Sequence, residues 1–136
     1  MDDFREVDVW VGRFPSREAA DAYFAEAYPE GDDEDLPISP FAADMGKVFY
    51  DHDFVERAYL DPPAADFAAA LAPHSWSSSY LAVAAAAFAA DPLLPFDTLL
   101  CVWNRQIGHP ASVERPGATL RYLGRFGGGA AAGTAS

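Results

Sequence analysis

Val7, Val9 and Val11 alternate with Glu6, Asp8 and Trp10, so the chain opens on a period-two pattern that predicts a half-buried strand over Glu6–Arg13. Ser16 then stands as an N-cap with Glu18 in the first turn, and Ala20, Tyr23, Phe24 and Ala27 follow at helical spacing. The pattern predicts an amphipathic helix over Arg17–Tyr28, closed by Pro29, with Glu30–Pro37 as a loop. Ser39, Pro40 and Gly46 have the order of a cap, a first helical residue and a stop, which predicts a short helical turn. Phe54, Val55, Ala58 and Tyr59 suggest a helix capped by Asp51 or Asp53 and ending before Pro62 and Pro63. A further helix is expected over Ala64–Ala72 with Asp61 as its cap, and an alanine-rich one that Ser79 or a neighbouring serine begins and that runs to Ala90. Phe96–Trp103 is apolar on both faces except at Asp97 and Thr98, as expected of a central strand. Arg105–Gly117 is expected to be a loop, and Ala118–Phe126 a closing strand.

This order of elements predicts an α+β fold: a small antiparallel sheet of about three strands, with several helices packed mainly on one face. The 136 residues are expected to form a single domain over 1–126, followed by a flexible Gly/Ala-rich tail over 127–136. Trp10 shares the polar face of its strand with Glu6 and Asp8, and Arg121 and Arg125 lie on that of the last strand. Opposite signs on these faces suggest that the first and last strands are neighbours, with Trp10 covered between them in a structural role.

Charge changes the picture. Met1–Asp66 holds 18 acidic residues against 5 basic, net −13, whereas Phe67–Ser136 holds 3 against 4, net +1. Acid placed this unevenly suggests a surface aimed at a basic partner, and it repels nucleic acid and anionic membrane. The densest acid lies at Asp32, Asp33, Glu34 and Asp35, with a second group at Asp51, Asp53 and Glu56; these seven are the candidate partner-binding residues. The longest apolar run, Tyr80–Ala90, is too short to cross a bilayer, and Met1–Phe4 lacks the features of a secretory signal, so a cytoplasmic location is expected.

Motifs for catalysis are missing: there is no phosphate loop, no dinucleotide turn, no paired-cysteine pattern and no Gly-x-Ser-x-Gly elbow. Asp51, His52 and Asp53 hold oxygen and nitrogen donors, but consecutive side chains at a helix start diverge by about 100°, so capping is preferred to a metal site. His74 and the serines Ser75, Ser77, Ser78 and Ser79 read as turn formers and caps rather than as a nucleophile with its base. Asp32–Asp35 lacks the ligand spacing of a calcium loop. Cys101, the one cysteine, lies in an apolar run and reads as a buried thiol. No cofactor and no metal are expected.

Val9-Trp10-Val11-Gly12 with Phe14, then Ser39-Pro40-Phe41 and Asp44-Met45-Gly46, then Tyr50-Asp51-His52-Asp53-Phe54 with Glu56, resembles the immunity protein 22 family of bacterial polymorphic toxin systems. Thr119–Phe126 is similar to that family's closing strand. The resemblance implies an intracellular, non-enzymatic antidote that binds a cognate toxin domain and blocks it. Toxins of such systems are often nucleases with basic surfaces, which agrees with the acid in the first half. The alternatives are an acidic adaptor or nucleic-acid mimic, and a small acid/base hydrolase using Asp51, His52 and Asp53.

Overall fold

The computed structural model describes residues 6–27, 36–47, 49–74 and 77–127. Within them, β1 (Glu6–Arg13), α1 (Arg17–Phe24), α2 (Pro40–Asp44), β2 (Val55–Ala64), α3 (Phe67–Leu71), α4 (Ser77–Ala90), β3 (Phe96–Trp103), β4 (Val113–Arg115) and β5 (Ala118–Gly127) follow in order. The five strands form one antiparallel sheet in the order β2-β3-β1-β5-β4. The class is α+β as expected, but the sheet has five strands instead of about three. β5 ends at Gly127, one residue beyond the expected closing strand, and 128–136 lie outside the described residues.

Local signals explain most of the helices. Ser16 Oγ accepts from the Ala19 amide at 3.1 Å to start α1, and Ser39 Oγ accepts from Ala42 at 3.0 Å to start α2, with Pro40 first in the helix. The first helix stops at Phe24 because the chain turns extended at Ala25, and the Ala27 amide donates to Ile38 O at 2.7 Å. Asp66, not Asp61, caps α3, accepting from the Ala69 amide at 3.2 Å. The last helix begins at Ser77, one of the cluster of serines expected to start it, and ends at Ala90.

The segment expected to be a helix around Phe54–Tyr59 is instead a 3-10 turn, His52–Phe54, followed by β2. Val55 and Tyr59 pack toward one core and Leu60 toward the other, so the strand is covered on both sides and its alternation does not show in hydropathy. Pro62 and Pro63 are tolerated because β2 is an edge strand. β4 was hidden in the expected loop by its length of three residues.

Helices cover both faces of the sheet, a correction to the expectation of one. On one face Trp10, Leu100, Val102 and Leu120 pack under α1 and α2 through Phe24 and Phe41; on the other, Val7, Val9, Val11, Leu99 and Cys101 pack under α3 and α4 through Leu71, Tyr80, Ala84 and Phe88. All eight residues of β3 are buried, as a strand between two covered faces must be. Trp10 is fully buried, T-shaped against Phe41 at 5.5 Å, and its indole N–H donates to Ala111 O at 2.9 Å.

The first and last strands are neighbours, and Asp8 stands opposite Arg125. Val9 pairs with Gly124 and Trp10 with Tyr122, so Leu123 is an extra residue, a bulge that reverses the alternation of β5 on either side of it. Arg125 therefore reaches Asp8, through two bonds of 3.0 Å, while Arg121 goes to the opposite face and donates to Asp91 O and Pro92 O just beyond the end of α4. The expectation that both arginines share one face fails for this reason. Among the described residues no helix is long and apolar enough to cross a membrane.

Candidate partner-binding surface

The candidate acid that the structure describes sits where the chain enters β2. Asp51 precedes the 3-10 turn and caps it: its Oδ1 accepts from the Asp53 amide at 3.0 Å, and its own amide donates to Gln106 Oε1 at 2.8 Å. His52 is largely exposed between two carboxylates, 3.8 Å from Glu26 and 3.4 Å from Asp53. Beneath the turn Tyr50 is buried, with its hydroxyl 3.1 Å from Ser39 Oγ, and burial raises its pKa. Phe24, Glu26, Phe41, Tyr50, His52 and Val55 line a shallow depression of about 210 Å³, which Arg57 completes. Glu56 points the other way from Arg57 along β2 and meets His74 Nδ1 at 3.2 Å, beside the end of α3. Asp51 and Asp53 are thus brought together, whereas Glu56 belongs to the α3 side. Asp32, Asp33, Glu34 and Asp35 lie outside the described residues.

The imbalance along the chain looks different once folded. Each arginine of the second half is committed: Arg105 to Glu6, Arg115 to Asp44, Arg125 to Asp8 and Arg121 to Asp91. Three of these four neutralise acid from the first half, in and beside the sheet centre and the β4 side. At the other edge of the sheet, Asp61 follows the regularly paired part of β2, which ends at Tyr59, and Asp66 comes just after the strand. A second depression, about 530 Å³, runs between Tyr59, Asp61, Pro62, Asp66 and Ala70. Asp61 was read from sequence only as a helix cap; its position on the edge becomes visible only once β2 is known to be a strand. Phe49, 56% exposed just ahead of Asp51, carried no sequence signal of its own.

Groups weighed for catalysis have structural work. Ser77 Oγ donates to Ala72 O at 2.6 Å, and Ser75 lies outside the described residues. The Cys101 thiol is fully buried beside the Tyr80 hydroxyl, and burial pushes its pKa up to about 12, so it stays protonated and unreactive. The donor atoms of Asp51, His52 and Asp53 lie within 4.8 Å of one another, closer than the divergence of consecutive helical side chains allows, because the segment is a single 3-10 turn entered from an extended Asp51. The capping bond to Asp51 and the contacts of His52 account for this closeness.

The family model for immunity protein 22 matches residues 7–127. The chain belongs to the immunity protein 22 family. No curated protein and no solved structure matches it significantly. Membership in the immunity protein 22 family carries a toxin-neutralising role. Among the described residues the match runs from the second residue of β1 to the last of β5.

Proposed function

We propose that this immunity protein 22 member acts in the cytoplasm, without catalysis, by binding a cognate toxin domain and covering its working surface by steric and electrostatic occlusion. The observation that carries the reading is the family match over 7–127. Charge supports the finer part: a net charge of −12 favours fast association with a basic protein and disfavours nucleic acid as the partner. Asp51, Asp53 and Glu56, with Asp32, Asp33, Glu34 and Asp35, supply the complementary field, and a nuclease is the toxin class whose substrate surface fits it. No cofactor is required for occlusion.

The test is stoichiometry. A purified toxin domain, encoded by the gene immediately upstream, is titrated with the protein; inhibition should be complete at one molecule per toxin. His52→Ala, His74→Ala and Ser75→Ala should each leave that end point unchanged, because nothing turns over. Protection at a small fraction of stoichiometry, abolished by one of these variants, would make the protein an enzyme.

A further inference from the structure

We propose that the toxin docks on the outer edge of β2 and the turn that leads into it, and that it does so by contributing an extended basic segment which pairs with residues 55–60 as an added strand. The proposal rests on the toxin-neutralising reading and names the surface that reading leaves open.

The sheet has two ends, and they differ. β4 is three residues long, and its Arg115 is tied to Asp44, so that end offers little to pair with. Among the described residues β2, ten residues long, has a neighbouring strand on one side only. Arg57 shows that its outer backbone is open. The Arg57 guanidinium lies 4.9 Å over the Phe24 ring and 3.2 Å from Asp21, leaving the side chain 26% exposed, yet the residue as a whole is exposed. The accessible part is its main chain. Pro62 and Pro63, which lack amide hydrogens, close only the far end of the strand, and residues 55–60 contain no proline.

Charge chooses the occupant. Asp51 and Asp53 stand at one end of the open stretch, Asp61 and Asp66 at the other, and the arginines of the second half are engaged elsewhere. A strand added here would gain main-chain hydrogen bonds whatever its sequence, and its alternate side chains would fall toward the two flanking depressions and the carboxylates beside them. Lysine and arginine suit those positions. Phe49, an exposed aromatic set next to acid, is the kind of anchor on which such interfaces concentrate affinity.

Amide hydrogen exchange on the full chain, with and without an inactivated form of the toxin domain encoded immediately upstream, tests the site. Exchange should slow across residues 55–60 in the complex and stay unchanged at 113–115. The double variant Asp53→Lys/Asp61→Lys should weaken the complex about tenfold or more and flatten its salt dependence, while Glu114→Lys on the other edge leaves affinity alone. A complex that forms without protecting 55–60 would overturn the edge as the docking site, with toxin neutralisation still standing. Protection of 55–60 with affinity untouched by the two lysines would overturn the basic character of the segment. No complex with the wild-type chain would overturn the neutralising reading itself.

Discussion

At the scale of single residues, the sheet centre is held by side chains whose sequence neighbours are far away. Trp10 fills the space between Phe41 and Tyr122, 4.9 Å away, and bonds across 101 residues to Ala111. Trp10→Ala should lower stability by ~3–5 kcal/mol, measured by urea denaturation, since removing a fully buried indole leaves a cavity. An undiminished unfolding free energy would mean that the indole is dispensable. Asp8 was legible as a strand residue paired with a basic neighbour, because alternation and charge sign are both local signals. Its burial to 1% was not, because that depends on Tyr122, whose hydroxyl donates to it at 2.6 Å, and on Arg125, which also donates to Ile107 O. Asp97 likewise broke an apolar run for a reason only folding supplies: it accepts from the Phe14 amide and from Thr98, fixing the chain as it leaves β1.

At the scale of elements, β1, α2, β3 and most of β5 could be read from period and capping, because each has a signal contained within itself. The strand β2 could not. Its helical appearance comes from Phe54, Val55, Ala58 and Tyr59, but β3 presents five consecutive partners, 98–102, and that pairing outweighs local preference. The candidate site inherited the same blindness: Asp51 and Asp53 were found by composition, while Asp61 needed the edge to be known. The bulge at Leu123 was equally invisible, although Gly124 beside it is a clue in hindsight. Gly124 has φ +147°, and a Cβ there would lie 3.1 Å from the Phe126 ring. Gly124→Ala should therefore cost ~1–3 kcal/mol in denaturant unfolding. A neutral result would show that the β5 backbone can straighten without losing the Asp8–Arg125 pairing.

At the scale of the whole molecule, burial sets the response to alkali. Burial pushes the Cys101 thiol from 9.0 up to about 12 and raises the hydroxyls of Tyr23, Tyr80 and Tyr122 well above their ordinary value of 10.0. Each group holds its proton more firmly folded than unfolded. Stability from this source is therefore complete below about pH 9 and drains away as pH rises through the folded values. Urea midpoints should stay level from about pH 7 to 9 and fall above it, and Cys101→Val should delay the onset toward pH 10, where the tyrosines begin to titrate. A wild-type midpoint that holds up to pH 11 would contradict this. The order β2-β3-β1-β5-β4 has a further effect, on when the antidote exists at all. Of the described strands, β1 comes before the others in the chain and lies in the middle of the sheet, and one of its two neighbours, β5, comes after all of them. A nascent chain thus carries a β1 that lacks its β5 neighbour, with Trp10 missing Tyr122 and Asp8 missing Arg125, until residues beyond 118 leave the ribosome. A chain that stops before β5 is therefore expected to be a protease substrate rather than a weakened antidote, which limited proteolysis of a chain ending at residue 117 would check.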